Sequence, residues 1–553
     1  MRTHSRRALF GAGIAVAGSG LLSGCATGTT GSGPHSGMDG MNGMNAMKGM
    51  NGTAPSPDTG GHTPSGYVSP DGPEVAEAER RRGAGPVRRF SLKATECRLD
   101  LGGRTVHTWT FGDELPGKQM RVTAGERIAL TLHNRLPQPT TLHWHGLTVR
   151  NDMDGVPGVT QRSIRPGASF DYLFAVTTPG THWVHPHSGL QLDRGLYAPL
   201  IVDDPREPLS YDDEWIVLLD DWVDGVDGST PESVLKELHG GVDRGPMAHG
   251  STEMAHDDAK GGGGSHPRHG GSRPADGPSR ILKGARSRLL GHDAGDVDHP
   301  YHLVNGRTSR DPRTFRAKPG DRIRIRFINA GSETAYRVAL GDHRMTVTHT
   351  DGFPVEHAET DALLIGMAER YDVIVTAGDG VFPLTVLAEG KGRSALGLLR
   401  TGSGEAPGPS ARPRNLYGRI LTADRFRAAE SVRSVSRRPD RTLEMTLTGT
   451  MEKYDWAING SPYTPDQRYP VEAGERVRII FRNHTRMWHP MHLHGHTFEL
   501  SNGGARKDTT ILLPGRRVEV DFHADNPGLW MVHCHNIYHS ESGMMTIIGY
   551  RKK

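Results

Sequence analysis

At 553 residues the chain is longer than one hydrophobic core serves, so several folded units are expected. Its 66 Lys and Arg nearly balance 63 Asp and Glu, and a net charge of +3 gives no field strong enough to wrap nucleic acid or coat an anionic membrane. Three cysteines make a disulfide framework improbable.

The first 25 residues join a twin arginine, Arg6 and Arg7, to a short apolar, glycine-rich run too short to span a bilayer. They read as an export signal, and Leu22-Ser23-Gly24-Cys25 resembles a bacterial lipobox, so the protein is expected outside the cytoplasm, held to the cell envelope by lipid on Cys25. Residues 26–85 are rich in Gly, Ser, Pro and Asn with almost no large apolar side chains, which predicts a disordered tether. Arg80, Arg81, Arg82, Arg88 and Arg89 read as solvated linker charge. Within the tether Met38, Met41, Met44, Met47 and Met50 recur every third residue among glycines, a period that opposes a helix and offers soft thioethers to cuprous ion.

From residue 86 the pattern changes to short alternating runs rich in Val, Ile and Thr, with turn signals between them, which predicts β-sandwiches. One pattern occurs three times: MRVTAGERIALTLHN (120–134), FRAKPGDRIRIRFIN (315–329) and YPVEAGERVRIIFRN (469–483). Turn, acid, Arg, alternating strand and Asn repeat in order, so an all-β chain of three homologous sandwiches is expected over 86–207, 208–405 and 406–553. The second would carry a polar insert at about 225–297, a long surface loop with Gly runs, Met247, Met254 and the histidines His239, His249, His256, His266 and His269.

Four clusters each hold two histidines one residue apart: His143 and His145, His185 and His187, His492 and His494, His533 and His535. On a strand, residues i and i+2 share a face with Cα atoms about 6.6 Å apart, so each pair suits two neighbouring metals better than chelation of one. In His533-Cys534-His535 the cysteine must face away from its flanking histidines, and the segment would serve two metal sites. Cys534 with His489, His539 and a weak axial Met544 forms the donor set of a blue copper centre. A closed zinc site would want four ligands in compact spacing.

These four motifs resemble those of the multicopper oxidases, a family that includes laccases and bacterial cuprous oxidases, across residues 86–553. The resemblance implies a cupredoxin-like Greek-key fold for each sandwich and four copper ions. Type 1 copper falls to His489, Cys534, His539 and Met544; type 2 to His143 and His492; one type 3 copper to His145, His185 and His535, and its partner to His187, His494 and His533. The middle repeat lacks the paired histidines, so the cluster is expected between the outer sandwiches, with the middle one as spacer.

The implied reaction couples four one-electron oxidations of a small donor, cuprous ion or a phenol, to reduction of dioxygen to two waters, with copper tolerance as its setting. Cys534 would connect the type 1 copper to the cluster, and Asp154 resembles the family's acid near the dioxygen channel. Many relatives carry Glu directly after the last histidine, whereas here Ser540 follows His539 and Glu541 comes one later, a shift that on a strand changes face and puts the second proton relay in doubt. A phenol oxidase needs an exposed edge on the type 1 histidine; the Met- and His-rich segments favour cuprous ion. A copper-sequestering or electron-carrying envelope protein is the rival from another class, and it leaves the eight paired imidazoles unexplained. A copper nitrite reductase would resemble the chain in its type 1 ligands but lacks the second histidine of His-Cys-His. A monomer is the working expectation.

Overall fold

The computed structural model describes residues 63–240, 277–434 and 437–552. The export signal, the Met38–Met50 run, Cys25, Met247, Met254 and His249, His256, His266 and His269 lie outside the described residues.

The threefold pattern folds the same way each time. In each copy the acid closes the turn that precedes the strand: Glu126 accepts from the N–H of Thr123 (2.8 Å), Asp321 from Lys318 (2.7 Å) and Glu475 from Glu472 (2.8 Å). The residue before each acid is a glycine with φ near +90°, at Gly125, Gly320 and Gly474, where a side chain would be strained. The strands that follow, Arg127–Asn134, Arg322–Asn329 and Arg476–Asn483, end on the repeated asparagine. Each asparagine amide donates to two carbonyls of the loops beyond: Asn134 to Gln138 and Ile164, Asn329 to Thr334 and Ile365, Asn483 to Met487 and Leu512. Its oxygen accepts a backbone N–H two residues on. The repeat therefore encodes both ends of one strand.

Around these strands the sheets form three two-sheet sandwiches, six sheets among the described residues. Each repeat strand pairs in parallel with the opening strand of its sandwich, Val87–Asp100, Asp213–Trp222 or Arg441–Thr448, and antiparallel with a later one. The opposing sheets share a second parallel pairing, of Met120–Thr123 with Ala198–Asp203, Arg313–Arg316 with Ser394–Arg400 and Tyr469–Val471 with Met545–Tyr550. Parallel pairs between sheets' distant strands require crossovers, and this is the Greek-key, cupredoxin-like order. One buried apolar cluster runs through both outer sandwiches, and the central one has its own around Ile323, Ile325 and Phe327.

Three boundaries differ from the sequence reading. The tether does not extend to residue 85: Tyr67 and Val68 are buried, the N–H of Val68 donates to the Tyr550 carbonyl (2.8 Å), and Pro73–Arg81 is a helix with Val75 buried. Arg82, taken as linker charge, donates to Asn526 at 2.7 Å, and Glu79 accepts from the N–H of Ala175. The segment is polar on average, but a few docked apolar side chains and satisfied backbone groups suffice to order it. The insert is likewise folded at both ends. Thr230 caps a helix, Pro231–His239, through a reciprocal bond with Ser233, and residues 277–297 pack Leu290 and Val297 into the core. Finally, Ile420–Leu421 pairs with Ala362–Ile365, so the chain stays with the central sandwich well past residue 405.

Asn329→Ala leaves two buried carbonyls and one N–H without partners and should destabilise the protein by about 2–4 kcal/mol. Denaturant unfolding of the copper-free protein measures this, and an unchanged midpoint would show that the repeated asparagine is dispensable.

Candidate metal centre

Two strands of the C-terminal sandwich, His489–Leu493 and Leu529–Cys534, are hydrogen-bonded neighbours with Met491 opposite Cys534 and His492 opposite His533. Alternation places Cys534 and His489 on one side of this sheet and His533 and His492 on the other. The three-residue step from His489 to His492 crosses the sheet, while the two-residue step to His494 does not. The N-terminal sandwich supplies its histidines from His143–His145 and Gly180–His185, with His143 opposite His185.

On one side Cys534 Sγ lies 3.7 Å from both His489 Nδ1 and His539 Nδ1, which face each other at 3.0 Å. Thr485 Oγ1 holds His489 Nε2 at 2.8 Å, leaving Nδ1 for the shared centre. Met544 is fully buried beside this group, its carbonyl accepting from the Cys534 N–H (3.0 Å). Two buried imidazole nitrogens and a thiol sulfur converging on one point fit a thiophilic metal. Burial drives the Cys534 thiol well up and His539 down to about 3, so the donors are neutral until a cation displaces the thiol proton.

Across the sheet eight imidazoles gather between the outer sandwiches. The His187, His494 and His533 rings lie 4.8 to 5.1 Å apart, the His145, His185 and His535 rings 5.1 to 5.8 Å, and His143 and His492 at 5.9 Å. His143 stacks on His494 and His145 on His492, each at 3.8 Å. Nε2 of His143, His185, His187 and His492, Nδ1 of His145 and both nitrogens of His535 are buried without a hydrogen-bond partner among the described residues. Orphaned buried nitrogens in such number fit metal ligation. Burial and mutual repulsion hold His185, His187, His494 and His535 well below the ordinary histidine range, in the neutral form a metal takes. Trp183 packs against His185 at 4.5 Å and His145 at 5.2 Å.

Two buried carboxylates decide which nitrogens remain free, and each reaches across the interface. Asp154 of the N-terminal sandwich accepts from His494 Nδ1 (2.9 Å) and lies 3.2 Å from His143 Nδ1, which also donates to the Asp154 carbonyl at 2.9 Å. Asp508 of the C-terminal sandwich accepts from His145 Nε2 (3.1 Å), and its carbonyl accepts from His492 Nδ1 (2.9 Å). Asp508 stands between the short strands Arg506–Lys507 and Thr509–Leu512, in a stretch of sequence that carries no histidine motif.

Glu541 does not lie on a strand as expected: Ile537–Glu541 is a helix, capped by the Asn536 side chain accepting from the N–H groups of Tyr538 and His539. Tyr538 is anchored by a hydrogen bond from its hydroxyl to Asp193. On the helix Glu541 is exposed, and with Ser540 it lines a cavity of about 20 Å³, room for one water, whose other wall includes His185, His187 and His535.

His539 is fully buried, so its edge is not open to solvent. Its Nε2 donates to Asp296 (2.9 Å), which lies in the segment read as loop; the Tyr454 hydroxyl reaches the same oxygen at 3.3 Å. Burial, with Asp293 adding repulsion, pushes the Asp296 carboxyl up to about 8. His239, closing the helix that starts at Pro231, sits 5.6 Å from the Tyr454 ring and bonds Ser542 Oγ at 2.8 Å. Asp296 was hidden in a Gly- and Asp-rich stretch that carries no motif.

Models of the multicopper oxidase family match residues 93–207, 283–402 and 436–552. The chain is 47% identical over 481 residues to the multicopper oxidase MmcO of Mycobacterium tuberculosis, covering 86% of this chain and 90% of that one. It is 29% identical to copper resistance protein A of Escherichia coli, over 82% of this chain and 91% of the other. In fold it is similar to the crystal structure of Fet3p, a multicopper oxidase that functions in iron import, with a TM-score of 0.66 and 21% identity over 84% and 90% of the two chains. With its three matched segments and the paired histidines set between its outer sandwiches, the chain belongs to the multicopper oxidase family, whose members are copper-dependent oxidoreductases.

Proposed function

We propose that the protein oxidises cuprous ion at a type 1 copper and reduces dioxygen to two waters at a three-copper cluster, consuming four cuprous ions and four protons per dioxygen. The observation that carries the choice of donor is the complete burial of His539 behind Asp296. A phenol delivers its electron by contact with an exposed histidine edge, and among the described residues His539 presents none. A cuprous ion can instead pass its electron through a carboxyl group bonded to the histidine, and Asp296, bonded to both His539 and Tyr454, would serve as that link. The similarity to copper resistance protein A supports copper tolerance as the setting.

The four coppers, when bound, store the electrons that dioxygen takes in a group of four. His489, Cys534, His539 and Met544 would hold the type 1 ion, His143 and His492 the type 2 ion, and the two trios of the cluster the type 3 pair. Cys534 shares its segment with His533 and His535, so the two sites are joined by covalent bonds. Asp154 holds His143 and His494 with their Nε2 atoms inward. Glu541, at the mouth of the small cavity beside His185 and His187, is placed to pass protons inward. Export and a lipid on Cys25 would set this chemistry outside the cytoplasm, and metabolic lipid labelling that persists in Cys25→Ala would reject the anchor.

Asp296→Ala should lower kcat/KM for cuprous ion on the order of 10- to 100-fold, as loss of a residue bonded to a metal-ligating histidine does, while type 1 absorption persists. Steady-state oxygen uptake with cuprous ion and with a phenol measures it, and equal loss on both donors counts against the copper-specific reading. Asp154→Asn keeps an oxygen for His494 Nδ1 but sets an amide group 3.2 Å from His143 Nδ1, and should slow dioxygen reduction about 10- to 100-fold with type 1 absorption preserved. Unchanged turnover would remove Asp154 from the machinery.

A further inference from the structure

The central sandwich carries none of the paired histidines, yet one of its side chains reaches into their support. Arg370 lies on the strand Arg370–Thr376 and is fully buried. Its Nη1 and Nη2 donate to the two oxygens of Asp508 at 2.7 and 2.6 Å, a bidentate grip that fixes the plane of the carboxylate. Its Nε donates to the carbonyl of Thr181 (3.0 Å), on the strand that ends in His185. Remaining donors go to the Ala368 and Asp351 carbonyls of its own sandwich. One guanidinium thus touches all three sandwiches. Asp351 in turn accepts from the N–H groups of Asp508 and Thr509, both at 3.2 Å, so the central sandwich holds the backbone of this segment as well as its side chain.

The residue after His145 records the same fit. Gly146 has φ +86°, and a Cβ there would overlap Arg370 Nη2 and crowd Asp508 Oδ2. The glycine that follows the first histidine pair leaves room for an arginine from another domain.

We infer that Arg370 is a positioning residue for the copper cluster: by fixing the Asp508 carboxylate it holds His145 with Nδ1 free, and by holding that residue in place it supports His492, whose Nδ1 bonds the Asp508 carbonyl and lies 3.5 Å from the carboxylate, with Nε2 free for the type 2 copper. This rests on the proposed assignment of the cluster and is independent of which donor is oxidised. A lysine would bond one oxygen of Asp508 but cannot also span Thr181, so it is no equivalent.

The experiment compares Arg370→Met, Arg370→Lys and, as control, Arg324→Met, which removes an equally buried arginine of the central sandwich that pairs with Asp372. Copper per chain, the type 2 electron paramagnetic resonance signal and type 1 absorption are measured after loading with cupric ion. Arg370→Met is expected to keep type 1 absorption, to lose the type 2 signal and to bind that copper about 10- to 100-fold more weakly, with Arg370→Lys between it and the parent. Arg324→Met should keep both signals. A full type 2 signal in Arg370→Met, or equal loss in Arg324→Met, overturns the inference. If Arg370→Met does not fold, unaltered type 2 affinity in Arg370→Lys overturns it. Absence of a type 2 signal in the parent protein would instead sink the cluster assignment itself.

Discussion

The arrangement depends on the alternation of side chains along one strand end. Because His533 and Cys534 end the strand Leu529–Cys534 and His535 follows directly, the thiol goes to one side and the two imidazoles to the other. Everything else is fitted to that division. His489 and His539 meet the sulfur, the histidines of the N-terminal sandwich meet the rings, and the sandwich interface is placed where the rings emerge. A one-residue slip would exchange the two sides, which is why both neighbours of this strand are in register with it and buried.

Much of this was legible in the sequence because period-2 patterns are local. The repeat gave three sandwiches, since turn acid, glycine and terminal asparagine each make bonds within a few dozen residues. The histidine pairs were legible for the same reason. What could not be read is what depends on contact between distant segments. Asp508, Asp296 and Arg370 stand in stretches without motif, and the bonds that tie them to the other segments of the site, to His145, His539 and Asp508 in turn, span more than 100 residues of sequence. The helix at Pro73–Arg81 was lost because composition averages hide single docked side chains such as Val75. Glu541 lies on a helix where a strand was expected, because the Asn536 side chain caps the turn that follows His535.

The supporting carboxylates follow one plan. Asp154 and Asp508 come from opposite sandwiches, and each takes one histidine from its own side and one from the other. Imidazoles held on one nitrogen present the other in a fixed direction, so the cluster is directed before any cation arrives. Such bonds also tie the interface: separating the outer sandwiches would strand buried carboxylates and imidazoles alike, at a penalty well above that of an exposed pair.

That arrangement makes loading a charge problem as much as a geometric one. Burial disfavours both imidazolium and thiolate, and holds His185 and His535 well below the ordinary histidine range and the Cys534 thiol well above its own. Cations entering there meet no opposing charge and displace one proton, from Cys534. Around the cluster the formal charges are carboxylates, and Arg370 and Lys507 stand behind them, facing Asp508, Asp351 and Glu369. Negative groups nearest the ligands and positive groups one layer out is the order that favours a cation inside a dry interface, since the nearer charge dominates at low dielectric. The central sandwich supplies Arg370, Asp351 and Glu369 of that outer layer, which is a reason for its retention beyond spacing the two that carry the histidines.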